Sequence, residues 1–205
     1  NSYSVTNNGT TWTLNNNVIS PALSPGSYDV SVTATDTLGN GGADATTNEL
    51  VVDTTVPVIA DSALTTKDTT PPLSGAVDDT TATISVSVGG QSHTATNNGD
   101  GTWILANNTI SPALSANTFN VMATATDAAG NEGIDGTSGE LTIDTTAPVV
   151  TVDALTTKDN RPALSGTVDD TGATVSISVG GQSYTATNNG NGTWTLADNA
   201  ISSPL

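Results

Sequence analysis

No cysteine occurs anywhere in the chain, and only Lys67, Lys158 and Arg161 carry basic side chains, against 20 acidic residues. The first absence excludes a disulfide framework and a zinc–thiolate site. The second leaves a net charge of −17, which repels nucleic acid and anionic membrane surfaces and makes a cation the natural counterpart. Aromatics are scarce: three Trp, three Tyr and one Phe in 205 residues. No apolar run approaches the roughly 18 residues of a membrane span, so direct membrane insertion is not expected. Neither a Gly-x-Ser-x-Gly elbow nor a phosphate loop is present, and Ser, His and Asp never assemble a nucleophile motif, so the chain does not read as an enzyme.

What the chain has is a period. Trp12, Trp103 and Trp194 stand 91 residues apart (103 − 12 and 194 − 103), as do Asp53 and Asp144, Pro57 and Pro148, and Gly75 and Gly166. Residues 53–110 and 144–201 differ at 17 of 58 positions without a gap. Such a period is too long for a solenoid, whose units run roughly 20 to 50 residues, and fits one small domain per repeat. The expected organisation is the C-terminal part of one repeat at 1–53, a complete repeat at 54–144 and the N-terminal part of a third at 145–205. The chain therefore reads as cut from a longer array, with the adjacent repeats of the same polypeptide as its first partners.

The local pattern is strand-like throughout. Tyr28, Val30, Val32 and Ala34 alternate with polar residues, as do Ile84, Val86 and Val88 and their counterparts Val175, Ile177 and Val179. A period of two with Gly and Asn turns every ten residues or so predicts an all-β sandwich or barrel. The complete repeat reads as seven strands: A near 56–64, B near 72–77, C near 83–88, two short strands near 92–96 and 102–105, F at 118–126 and G at 139–143. Asp53-Thr-Thr-Val-Pro57 and Asp144-Thr-Thr-Ala-Pro148 lie between one G strand and the next A strand, where a proline suits an extended linker.

The strings DTTAPVV at 144–150, LSGTVDDTGATVSISVGG at 164–181, NGTWTL at 191–196 and PALSPGSYDVSVTATDTLGN at 21–40 resemble the bacterial immunoglobulin-like repeats of giant surface adhesins exported by type I secretion. The resemblance implies tandem Ig-like β-sandwiches, an extracellular place on a bacterial cell surface, and a structural role as an extender.

The acids are repeated with the fold. Seven pairs stand 91 apart: Asp36 with Asp127, Asp44 with Asp135, Glu49 with Glu140, Asp53 with Asp144, Asp68 with Asp159, Asp78 with Asp169, and Asp79 with Asp170. In a sandwich of this topology the B–C loop with Asp78 and Asp79, the F–G loop with Asp127 and Asn131, and the linker with Asp53 share one pole. Carboxylates converging from three segments repel unless they share a hard cation, and six to eight oxygen ligands describe calcium. The corresponding candidates elsewhere are Asp36 and Asn40 in the first copy, and Asp144 with Asp169 and Asp170 in the third. Asp68 lies at the opposite pole, near the outgoing linker. The competing reading is that these acids are turn residues, which bond locally to the backbone.

The function expected is that of spacer repeats stiffened by calcium at their junctions. The alternative is a multivalent module that binds sugar, ice or a host protein, which an exposed row of Trp or a flat Thr array would favour. Each Trp is expected in a core, His93 on a strand surface, and Tyr28 in a tyrosine corner whose hydroxyl Phe119 lacks.

Overall fold

The computed structural model describes residues 1–202; residues 203–205, the end of the expected third copy, lie outside the described residues. The fold is all-β, and no helix among the described residues is long and apolar enough to cross a membrane. The chain divides into two compact units, 1–144 and 145–205.

The first 53 residues form three small ribbons: β1 (Thr6–Asn7) with β2 (Trp12–Thr13), β3 (Gly26–Tyr28) with β6 (Leu50–Val52), and β4 (Thr33–Thr35) with β5 (Gly41–Ala43). None of these residues is buried. The segment carries the alternating rows of strands F and G but not the A to C strands that would cover them. Trp12 is accordingly 46% exposed. The tyrosine corner is present: Tyr28 donates its hydroxyl to the carbonyl of Ser24 at 2.7 Å.

The middle repeat builds a complete sandwich from β7 (Ile59–Asp61), β8 (Leu64–Thr66), β9 (Leu73–Val77), β10 (Thr83–Val88), β11 (Gln91–Asn97), β12 (Thr102–Leu105), β13 (Asn117–Phe119), β14 (Val121–Thr126), β15 (Glu132–Ile134) and β16 (Leu141–Ile143). On one side β15, β14, β10 and the start of β11 pair in that order; on the other the end of β11 pairs with β12, then β9, then β7. β11 thus joins both sheets. Its hairpin with β10 turns at Gly89 and Gly90, with φ of +56° and +77°, the left-handed pair that a two-residue hairpin of the favoured twist requires.

The expected strands A, F and G each prove to be two pieces. A starts as β7 beside β9, then crosses to run parallel to β16 as β8, with Leu64, Thr65 and Thr66 opposite Leu141, Thr142 and Ile143. F is β13 and β14. G begins at β15, inside the segment read as the F–G loop, because Glu132-Gly133-Ile134 has no alternating apolar row to announce it.

Alternation decides the core. Ile84, Val86 and Val88 of β10 face Val121, Ala123 and Ala125 of β14, with Leu73, Val77, Leu105, Leu141 and Ile143 around them. Trp103 is 1% exposed and donates its indole N–H to the Ala60 carbonyl at 3.2 Å. Opposite it on β9 stands Gly75, where a Cβ would collide with that same carbonyl and with the indole. His93 departs from expectation. It occupies the inward row of β11, half-buried, and its Nε2 is shut from water without a hydrogen-bond partner.

The second unit repeats the first part of this plan: β17 (Leu164–Thr167), β20 (Thr193–Leu196), β19 (Gln182–Asn188) and β18 (Val175–Val179) pair in that order. Trp194 is 1% exposed, bonded to the Thr151 carbonyl at 2.9 Å, with Gly166 opposite it. Val168, Val175, Leu196 and Ile201 complete a core of its own.

Candidate functional site

The acids of the middle repeat are placed by turns, each of which uses its carboxylate. In the hairpin joining β14 to β15, Asp127 Oδ1 accepts from the N–H of Ala129 and of Asn131, both at 2.8 Å, and Oδ2 accepts from Asn131 Nδ2 at 2.8 Å. Gly130, at φ +91°, supplies the left-handed residue this tight loop needs. Asp36 and Asn40 reproduce the hairpin in the first copy, with the side-chain bond at 2.7 Å.

Asp78 and Asp79 hold the B–C loop. Asp78 bonds Val58 in both directions, N–H to the Val58 carbonyl at 3.0 Å and Oδ1 from the Val58 N–H at 2.7 Å. Its carboxylate therefore continues the A–B ladder past the end of β7. Asp79 Oδ1 accepts from the N–H and hydroxyl of Thr81 at 2.8 and 2.7 Å. Asp169 and Asp170 repeat this in the third copy, bonding Val149 N–H and Gly172 N–H, each at 2.8 Å. Asp53 Oδ1 caps the linker turn through Thr55 N–H at 2.9 Å.

These segments meet. Asp53, Thr55, Val56 and Pro57 of the linker, Asp78 and Asp79 of the B–C loop and Asp127 of the F–G hairpin line one cleft of about 240 Å³. Asn131 ties the cleft together, donating Nδ2 to the Asp53 carbonyl at 3.1 Å as well as to Asp127. The Thr81 hydroxyl holds Asp79 below the ordinary carboxylate range against the raising influence of Asp127 nearby, and the Asn131 amide does the same for Asp127. All-oxygen, anionic donors from three segments suit a hard cation. Among the described residues, however, no three acids stand close enough together as they are to hold one. Local turn chemistry and convergence on one cleft are both present, and in the side-chain bonds above the first uses Oδ1 of Asp53, Asp78 and Asp79.

The remaining candidates lie elsewhere. Asp68 caps its own loop, Oδ1 accepting from Thr70 N–H at 2.9 Å, and the N–H of Asp144 reaches the Thr66 carbonyl at 2.9 Å, so the outgoing linker leaves beside the A–B loop. A third acidic group, Asp61 with Asp135 and Glu140, was not legible as a group, because position 152, the counterpart of Asp61, is Val.

Residues 59–145 match the family model of the bacterial Ig-like domain. No curated protein matches the chain. Among solved structures it is similar to one from a 1.5-MDa bacterial ice-binding adhesin, at 24% identity over 83% of this chain and 62% of that one, with a TM-score of 0.36. A tetra-tandem repeat from the extending region of a large adhesion protein gives 26% identity over 85% and 48%, with a TM-score of 0.38. The chain thus spans less than two thirds of either. The complete sandwich at residues 59–145 is a bacterial Ig-like domain, one copy of a tandem repeat.

Proposed function

We propose that these repeats are extender modules of a bacterial surface adhesin, strung end to end outside the cell and stiffened at their junctions by calcium. One observation carries the reading: the chain enters and leaves the middle repeat at opposite poles. The linker at Asp53 to Pro57 arrives beside the B–C and F–G loops, strand A runs the length of the sandwich, and G runs parallel to its second half, so Asp144 departs beside Thr66. Nine residues of strand path from Val58 to Thr66 cover about 30 Å at roughly 3.3 Å per residue. On this reading each added copy would add length.

The near identity of the copies supports the same reading, since length scales with number. With Trp103 and Trp194 in their cores, the middle and third copies present no tryptophan on which a sugar could stack. Calcium is the finer part of the proposal. Asp53, Asp78, Asp79 and Asp127 would hold it, and it would supply the countercharge that no basic side chain in this cleft provides. Asp53 and Asp78 are exposed, so their side chains can turn inward once they release the N–H groups of Thr55 and Val58. External calcium at millimolar level would fill sites of modest affinity, and binding only the folded form would favour folding after export.

Small-angle scattering of arrays with two, three and four intact repeats tests both parts. The maximum dimension should rise by a constant step per repeat, and chelator should broaden the distribution of lengths. A dimension that saturates would overturn the extender reading; equal curves with and without calcium would overturn the stiffening alone.

A further inference from the structure

Three carboxyl groups meet inside the middle repeat where strands A and G both change sheets. Asp61 ends β7, just before the crossing to β8, while Asp135 and Glu140 lie in the segment joining β15 to β16. The N–H of Asp61 donates to Asp135 Oδ2 at 3.1 Å, and the Thr137 hydroxyl donates to the same oxygen at 2.8 Å. Glu140 Oε2 accepts from Val121 N–H at 3.0 Å, and its carbonyl accepts from Leu64 N–H at 2.7 Å. Asp135 thus takes up a backbone N–H of strand A at its crossing, and Glu140 one of strand F where β13 gives way to β14.

Asp135 and Glu140 are only 9% and 8% exposed. Both carboxyl oxygens of Asp61, and Glu140 Oε1, are shut from water, and as acceptors they find no donor. Protonated, Asp61 becomes a donor, and the Asp135 carboxylate beside it is its acceptor. β8, β9 and β14, which pack around this contact, carry no titratable side chain; Glu132 of β15 and Lys67 beyond β8 are exposed, and half-buried His93 lies on β11, which pairs with β10 and β12 and not with β7.

We propose that Asp61 and Asp135 hold one proton between them, fastening strand A to strand G at this crossing, and that losing it as the pH rises loosens the seam. Val152 stands where Asp61 would be in the next copy, so the device belongs to the middle repeat. Burial first, then the charge of Asp135, raises Asp61 to about 7. Asp135 and Glu140, although burial opposes their charge, are held below the ordinary range by the Thr137 hydroxyl and the Val121 N–H respectively. A cation would relieve the same charge, but no three acids among the described residues are placed to hold one, and Asp135 and Glu140, unlike the exposed acids at the pole, are buried and packed in place.

The sign follows from linkage. The unfolded chain releases this proton near 3.8 and the folded chain near 7, so stability falls as pH rises between those values and is level above them. Carbon-13 NMR titration of the full chain reads the Asp61 carboxyl directly, without substitution; a midpoint near neutrality is expected, and one in the ordinary carboxylate range would overturn the proposal. Melting of the first unit from about pH 4.5 to 8.5 gives the second readout. Wild type should lose several degrees across that range and Asp61→Asn, a donor to Asp135 at every pH, should lose far less; equal slopes would overturn it. So would millimolar calcium displacing the Asp61 resonance and restoring the alkaline melting temperature, since a cation would then occupy the proton's place.

Discussion

Asn131 and Asp53 stand 78 residues apart and are joined by one hydrogen bond, the Asn131 amide donating to the Asp53 carbonyl at 3.1 Å. The same amide bonds Asp127, so the incoming linker is fastened to the F–G hairpin by a side chain whose main task is to close that hairpin. The bond exists only where a linker and an F–G loop meet. It therefore makes the direction of the linker a property of the domain that follows it.

Asn131→Ala should leave the sandwich folded and free the linker. Losing these partly exposed bonds should cost about 0.5–1.5 kcal/mol, while amide exchange at Thr54 and Thr55 should quicken well beyond what that loss predicts. Hydrogen exchange by mass spectrometry, compared between linker and core peptides, would show it. Uniform quickening across the core would mean that Asn131 supports the domain as a whole.

The three tryptophans should separate by context. Trp103→Ala should cost about 3–5 kcal/mol through the cavity and leaves the Ala60 carbonyl without its indole partner. Trp12→Ala should change the melting of the middle repeat by less than about 0.5 kcal/mol, because Trp12 is outside that core. Urea unfolding of both variants would settle the contrast, and similar losses would contradict it.

Gly75 faces Trp103 across the β9–β12 ladder for a steric reason, since a Cβ there would meet both the Ala60 carbonyl and the indole. Gly75→Ala should therefore cost about 1–3 kcal/mol, and Gly90→Ala, where nothing lies within reach but φ is +77°, should lose stability through backbone strain alone. Pairing Gly75→Ala with Trp103→Phe should recover part of the first loss, as relief of a shared clash requires. Additive losses in denaturant melts would show that the two residues do not compete for one space.

Much of this was legible from periodicity. The alternation of Ile84, Val86 and Val88 marks a half-buried strand in any sequence, and the 91-residue period aligns it with its copies. The sequence could not show where a strand changes sheets. β7 and β8 are separated by only two residues, and it is their partners, β9 and β16, that assign them to different sheets. β15 escaped because Gly133 packs against the Pro57 carbonyl, a close approach that removes the side chain from which a strand would be recognised. Asp61 escaped for the opposite reason: it stands two residues after buried Ile59, in an inward position, but a search for repeated acids passes over an acid found in one copy.

Below the ordinary carboxylate range the pH dependence should reverse. Thr81 holds Asp79 low, the Asn131 amide holds Asp127 low, and burial-opposed Asp135 is held low by Thr137 and Asp61. Groups lowered on folding contribute stability above their unfolded pKa and lose it as pH falls through the folded one. Melting temperature should therefore drop steeply below about pH 4, on the acid side of the decline attributed to Asp61. A flat acid limb in thermal melts would mean that these bonds are equally available in the unfolded chain.

Asp53→Ala and Asp127→Ala should make an array bend before they make it unfold. Both residues line the cleft between the linker and the loops, whereas the core is built from Trp103 and the alternating apolar rows, so neither substitution removes a buried apolar group. In calcium, multi-repeat arrays carrying either change should show a shorter mean end-to-end length and a broader scattering distribution, with core melting nearly unchanged. Asp127→Ala should have the larger effect, because it also removes the carboxylate that positions the Asn131 amide. Asp68→Ala, at the other pole and within its own loop, is the control and should alter neither length nor width in this cleft. Mutant arrays as long and as narrow in calcium as wild type would leave the proline linker as the source of stiffness, and the acids of the cleft would then be turn residues alone.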